Sequence, residues 1–158
     1  NFEDLMYQKN PQEYSPMKAY RRSKLFNLLF TYELQRLFEK SNLSCISVAA
    51  HPGISVTNIM RDYEKKWSLK PIKPLALLFL QTASKGALCI IRAAVDETVK
   101  GGDYYGPHGK GQKKGFPVLV KSNELSHCLI AAEKCWSFSE EATLIPFKSM
   151  LRDMLKTK

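Results

Sequence analysis

The chain has 158 residues, 44% of them hydrophobic, and 24 lysines and arginines against 15 aspartates and glutamates give a net charge of +9. That length and apolar share suit one core-forming domain and exclude a wholly disordered chain. The longest apolar run, Leu75-Ala-Leu-Leu-Phe-Leu80, is far too short to span a bilayer, and four scattered cysteines without a Cys-x-x-Cys pair argue for buried reduced thiols rather than a disulfide framework or a zinc site.

The opening Asn1-Phe-Glu-Asp4 is polar and acidic and lacks the apolar stretch of a signal peptide. The expected location is the cytoplasm or the cytosolic face of an intracellular membrane, not the exterior. The first residue is not an initiator methionine, so the chain is expected to be a piece of a longer protein. Residues 1–16 form a polar, proline-containing approach. From 18 to 40, Leu25, Leu28, Leu29, Tyr32, Leu37 and Phe38 recur at helical spacing and predict a long helix. Residues 43–50 are short, mostly apolar and rich in small side chains, which predicts a strand buried on both faces, ended by His51-Pro52-Gly53.

A polar stretch with Trp67 and two prolines follows. Residues 82–95 predict a second helix with Ala83, Ala87, Ile90, Ile91 and Ala94 on one side. Tyr104-Tyr105 starts a second strand, residues 106–114 form a glycine-lysine loop, and Ser122 is the expected N-cap of a third helix reaching Trp136. The tail, 147–158, predicts a short amphipathic helix. Helix, strand, helix, strand, helix is α/β logic, and two strands with three or four helices suit half of a doubly wound sheet. No linker or internal repeat divides the chain, so 1–158 is expected to be one partial domain.

Charge is concentrated in two places. Residues 61–73 carry five basic and two acidic side chains, and residues 100–121 carry five lysines against Asp103 alone. Without interleaved aromatics or a recognised module, these patches read as solvated lysine-rich surface and not as a nucleic-acid interface.

Chemistry concentrates at Tyr20, Ser23 and Lys24. A tyrosine and a lysine four residues apart share one helix face. An ammonium beside a phenol favours the phenolate, and a phenol tuned that way can give or take a proton at neutral pH. A second Tyr-x-x-x-Lys, Tyr14 to Lys18, contains Pro16, which fits the start of a helix better than its interior.

Read in order, Tyr14-Ser-Pro16, Ala19-Tyr-x-x-Ser-Lys-Leu-x-Asn27-Leu-Leu-Phe30, Val48-Ala-Ala-His-Pro-Gly53 with Thr57-Asn58, Gly101-Gly-Asp-Tyr-Tyr-Gly-Pro107 and Cys135-Trp-Ser-x-Ser-Glu140 form a set. Over nearly the whole chain this set resembles the short-chain dehydrogenase/reductase family, in its retinol-dehydrogenase-like and protochlorophyllide-reductase-like branch. The resemblance implies an α/β fold, the C-terminal half of a doubly wound Rossmann-type parallel sheet with flanking helices. It implies that Tyr20 is the catalytic acid/base. Lys24 would lower the pKa of Tyr20 and hydrogen-bond the nicotinamide ribose, while Ser23 and Asn27 have local roles. Pro52 and Gly53 would let the backbone approach the nicotinamide of a bound NAD or NADP, and the backbone near Ser55 and the Thr57 hydroxyl would contact its carboxamide or pyrophosphate side, NADP being slightly favoured by the branch. His51 reads as a packed, hydrogen-bonded residue. Residues 58–74 fall where the family carries its substrate lid, with Met60, Tyr63 and Trp67 as weaker candidates for apolar substrate contact.

The implied reaction interconverts a carbonyl and an alcohol on a lipophilic, retinoid- or steroid-like molecule. Peripheral membrane contact and a homo-oligomer are both compatible with the branch. No Gly-x-x-x-Gly-x-Gly pyrophosphate turn occurs in the 158 residues. The catalytic serine is expected on a strand ahead of residue 1, so this chain alone is expected to be inactive. The alternative reading is a non-catalytic truncated product that acts through protein association.

Overall fold

The structure is a computed structural model, and it describes residues 2, 4–55 and 81–156. The chain divides into two compact units, Asn1–Ser47 with Asn123–Lys158, and Val48–Ser122.

The first unit is helical. Helix α1 (Pro16–Lys40) starts on a proline, whose missing N–H would be unpaired there in any case. It ends where the Ser41 N–H returns to the Leu37 carbonyl at 3.0 Å and Asn42 takes a left-handed φ of 51°. Its packed stripe is Leu29, Tyr32 and Gln35, with Leu25 and Phe26 beside it. Leu29 packs with Ala132 and Cys135 of helix α3 (Leu129–Thr143) in the core of this unit. Aromatic pairs extend that contact: Phe2 on Phe26 at 5.5 Å, Phe30 stacked on Trp136 at 4.9 Å and Tyr32 on His127 at 4.5 Å between ring centres. The Gln35 side chain accepts the Ser47 N–H at 2.8 Å and donates to Glu39 at 3.0 Å, so its buried amide is satisfied.

A 3-10 turn, Glu124–His127, leads into α3, and its cap is Asn123, whose Oδ1 accepts the Ser126 N–H at 3.0 Å. The expected Ser122 cap is therefore not found: Asn123 caps only the 3-10 turn, and α3 itself begins after Cys128, with no side-chain cap, and runs past Trp136 to Thr143. Helix α4 (Phe147–Lys156) is the amphipathic tail. Its first residues hold it: Phe147 lies edge-on to Trp136 at 5.6 Å, and Lys148 Nζ reaches Glu33 at 3.3 Å. Burial pushes the Glu33 carboxyl up, but hydrogen bonds from Arg36 and Lys148 outweigh it and hold the group below its ordinary range.

The second unit is a three-stranded sheet with a helix against it. Strands β1 (Ala49–Ala50), β2 (Tyr104–Pro107) and β3 (Pro117–Leu119) lie in the order β1-β2-β3, the first pair parallel and the second antiparallel. The register sets Ala49 against Tyr104 and Tyr105 against Leu119. Helix α2 (Ala83–Val95) is the crossover between the two parallel strands, and Thr82 caps it by accepting the Lys85 N–H at 3.2 Å. Arg92 ties α2 to the sheet by donating to the Pro117 carbonyl at 2.7 Å while pairing with Asp96 at 3.0 Å.

Several expectations are corrected. The predicted strand over 43–50 contracts to Ala49–Ala50, and it is not buried on both faces, since Cys45 and Ile46 are exposed. As the first strand in the order it has a ladder partner on one edge among the described residues, so the residues ahead of Ala49 have no ladder to join there. Helix α2 packs through Gly86 and Cys89, whereas Ile90 and Ile91 are about half exposed at 53% and 51%. The reason is steric: at Gly86 the helix comes so close to Pro52 and Ser55 that a Cβ would collide with the Ser55 hydroxyl. The antiparallel β3 has no counterpart among the predicted elements. Cys89 and Cys135 are buried thiols, but Cys45 and Cys128 are exposed. Among the described residues no helix is long and apolar enough to cross a membrane.

Leu29 is 1% exposed and Met17, on the same helix, is 54% exposed. Leu29→Ala should destabilise the protein by about 2–5 kcal/mol, and Met17→Ala should stay within about 0.5 kcal/mol of the parent. Urea unfolding of both variants checks this, and equal losses would contradict the assigned core.

Candidate active site

Tyr20, Ser23, Lys24 and Asn27 are spaced to share one side of α1, and all four are exposed. Leu29 and Tyr32 lie on the packed side. The 3.6-residue period thus separates the core stripe from the exposed stripe that bears Tyr20 and Lys24 on a single helix. Lys24 Nζ lies 5.3 Å from the centre of the Tyr20 ring, and Tyr20 is 57% exposed. The Ser23 hydroxyl donates to the Tyr20 carbonyl at 2.8 Å, and the Asn27 carbonyl accepts the Thr31 hydroxyl at 2.8 Å. These are local bonds within the helix. Tyr14 of the competing pair lies ahead of the helix, in extended backbone, edge-on to Tyr7.

Pro52, Gly53 and Ser55 belong to the sheet unit, just past the carboxyl end of β1. Gly53 has a φ of 66°, and a Cβ there would run into the Lys113 carbonyl and Pro107. The turn is held from several sides. The Ile54 N–H donates to the Lys113 carbonyl at 2.7 Å, the Ser55 hydroxyl donates to the Pro52 carbonyl at 3.0 Å, and Ser55 forms a parallel bridge with Gln81. The buried Gln81 amide donates to the Pro52 carbonyl, and its oxygen accepts the Gly115 N–H at 3.0 Å.

His51 is satisfied at both ring nitrogens. The Gly53 N–H donates to Nδ1 at 3.2 Å, which leaves the proton on Nε2, 3.0 Å from Gln112 Oε1. Burial pushes the imidazole below its ordinary range, with the Gln112 bond pulling the other way. A second proton, on Nδ1, would face the Gly53 N–H. His51 is therefore built to be a neutral brace of the turn.

Gln81 also lines a cavity of about 510 Å³ with Thr82, Lys85, His108, Lys114 and two glycines. Sequence reading did not single out Gln81, Lys85 or His108; the lysine-rich glycine loop over 106–114 was the available signal. Thr57, Met60, Tyr63 and Trp67, and the lid over 58–74, lie outside the described residues. Tyr20 and Lys24 are thus brought together on one unit, and Pro52, Gly53 and Ser55 on the other.

A helix carrying Tyr20 and Lys24 on one face, and a parallel strand ending in a glycine turn, define a partial Rossmann-type α/β fold. The chain is 36% identical to retinol dehydrogenase 14 of Homo sapiens over 143 residues, 89% of this chain and 38% of that protein. It is 26% identical to the short-chain dehydrogenase TIC 32 B, chloroplastic, of Brassica napus, over 84% of this chain and 39% of the relative. A crystal structure of an uncharacterized protein from Mycobacterium paratuberculosis matches with a TM-score of 0.60 and 29% identity, over 89% of this chain and 43% of that one. No family model matches the chain. The chain belongs to the short-chain dehydrogenase/reductase family, in its retinol-dehydrogenase-like branch. It spans 38% to 39% of the length of these curated relatives.

Because the His51 imidazole is held below its ordinary value when folded, its contribution to stability is fully present above the unfolded value, about 6.5, and is lost as pH falls below it. Denaturant unfolding at pH 7.5 and pH 5.5 should show lower stability at the acid value. His51→Gln should shrink that difference, and an unchanged difference would remove His51 as its source.

Proposed function

We propose that these residues serve an NAD(P)-dependent oxidoreductase that interconverts a carbonyl and an alcohol on a lipophilic small molecule. The observation that carries this reading is the exposed α1 stripe, with Lys24 Nζ 5.3 Å from the Tyr20 ring centre. In the reducing direction the Tyr20 hydroxyl gives its proton to the substrate oxygen as the carbon gains hydride. In the oxidising direction the Tyr20 oxygen takes the alcohol proton. Lys24 stabilises the phenolate formed or consumed at that atom, and its remaining ammonium hydrogens suit the nicotinamide ribose hydroxyls. Ser23, bonded to the Tyr20 carbonyl, supports the helix turn.

The nicotinamide end of a dinucleotide fits what the sheet unit offers. Gly53 takes a left-handed turn just past the carboxyl end of a parallel strand, the end at which such sheets bind ligands. Pro52, Ser55 and Thr57 complete this set by family position. When bound, NAD or NADP supplies the hydride. The 158 residues contain no glycine-rich strand-to-helix turn for its pyrophosphate, so the proposed activity is that of a polypeptide also carrying that element. Met60, Tyr63 and Trp67 are proposed as apolar substrate contacts, in keeping with the name of retinol dehydrogenase 14 and of a 35% identical polyprenol dehydrogenase of Homo sapiens.

The alternative, association without catalysis, draws on the exposed Ile90, Ile91 and Val95 of α2. It predicts an oligomer in sedimentation that Ile91→Glu disrupts.

Tyr20→Phe, assayed with NADPH and NADH against retinal-like aldehydes in the longest natural polypeptide containing these residues, should lower turnover roughly 10²–10⁴-fold. Its melting temperature should stay near that of the parent, because Tyr20 is exposed. Retained turnover would remove Tyr20 from the acid/base role.

A further inference from the structure

The peptide group between Pro52 and Gly53 is clamped at both of its polar ends. Its N–H donates to His51 Nδ1 at 3.2 Å. Its carbonyl accepts from the Ser55 hydroxyl at 3.0 Å and from the Gln81 side-chain amide. His51 and Ser55 are near neighbours in the chain, so their bonds are local. Gln81 lies 29 residues beyond Pro52 and ties this peptide to the rest of the sheet unit.

Gln81 is itself fixed. Its backbone N–H donates to the Ile54 carbonyl at 3.1 Å, it bridges Ser55 in parallel, and Thr82 beside it caps α2. Its side chain is buried and used at both ends, since its oxygen accepts the Gly115 N–H at 3.0 Å. The two partners demand opposite roles. The Pro52 carbonyl can only accept and the Gly115 N–H can only donate, so the group between them must donate at one end and accept at the other. A primary amide does both. A methionine of similar length does neither, and an ionised carboxylate only accepts. Losing the amide would release one hold on the Pro52 carbonyl and leave the buried Gly115 N–H without that partner.

We infer that Gln81 is a positioning residue: by fixing the Pro52–Gly53 peptide it sets the affinity of the turn for the nicotinamide end of the dinucleotide. The inference rests on the reading of this turn as the nicotinamide side of the site. A residue that acts through the turn affects ligands that reach it and spares ligands that stop short of it.

The test measures dissociation constants in the longest natural polypeptide containing these residues. The ligands are NADPH and NADH, and the same molecules without nicotinamide, 2′-phospho-ADP-ribose and ADP-ribose. Gln81→Met should weaken the dinucleotide roughly tenfold, about the net worth of one hydrogen bond, and leave the nicotinamide-free ligands unchanged. Gln81→Glu should bind the dinucleotide weakly at pH 7.5 and approach the parent at pH 5.5, because a protonated carboxyl donates to Pro52 and accepts from Gly115 as the amide does. Burial raises the pKa of that new carboxyl, whereas Lys85, His108 and Lys114, which line the same cavity, lower it. The parent measured at each pH removes the titration of His51 and His108 from the comparison. If Gln81→Met fails to fold, Gln81→Glu at the acid pH keeps the test decisive. Equal weakening of both ligand classes would mark a general loss of structure and overturn the inference. Unchanged dinucleotide binding, or a ratio of Gln81→Glu to parent that does not move with pH, would overturn it too. A parent that binds neither dinucleotide would instead remove the reading of the turn, and the inference with it.

Discussion

The sheet unit depends on one close approach, the passage of the turn after β1 between the start of α2 and the glycine-lysine loop. Gly53 has no room for a side chain against the Lys113 carbonyl, and Gly86 has none against Ser55. Each close contact is converted into hydrogen bonding: Ile54 to Lys113, Ser55 to Pro52, and Gln81 to both Pro52 and Gly115. A polar side chain as buried as Gln81 is tolerable only because both ends of its amide are used. The same bonds hold Gly53 in a left-handed conformation, packed against the Lys113 carbonyl and Pro107.

The helical unit solves a different problem. Helix α1 buries one stripe and exposes another that carries Tyr20 and Lys24, so packing and the proposed chemistry are nearly independent along it. Leu29 can be optimised for Ala132 and Cys135 without touching Lys24. The exposed Tyr20/Lys24 pair is positioned by the rigidity of the helix, since α1 is anchored through Leu29, Tyr32 and the Phe30–Trp136 stack.

What was legible in the sequence follows from this division. Helices with a clear apolar period, α1 and α4, could be read almost to their ends, because local spacing alone decides them. The family motifs were legible because each is a local string. The extent of β1 was not, because a strand is as long as its ladder, and the ladder lies more than fifty residues away at Tyr104 and Tyr105. The packed face of α2 is not legible for a related reason. Ile90 and Ile91 are more apolar than Gly86, but the contact is ruled by how near the backbone can come, and that information sits in Pro52 and Ser55. Strand β3 was hidden by a proline at its start, a residue that edge positions admit. Gln81 was invisible because glutamine carries no pattern until its partners are known.

Exposure and burial also sort what substitution can reveal. Tyr20 and Lys24 contribute little packing, so a change in turnover at either position reports on chemistry with little confusion from unfolding. His51 is the opposite case. It sits in a motif beside the proposed cofactor turn, and substitution there would impair activity whether or not it touches a reacting atom, because its Nδ1 accepts the Gly53 N–H. Loss of activity at His51 would therefore carry no mechanistic weight by itself, whereas a changed acid limb of stability would identify its structural role. A residue can be essential to a site by shaping the backbone alone, and the bonding at Gly53 assigns His51 to that kind.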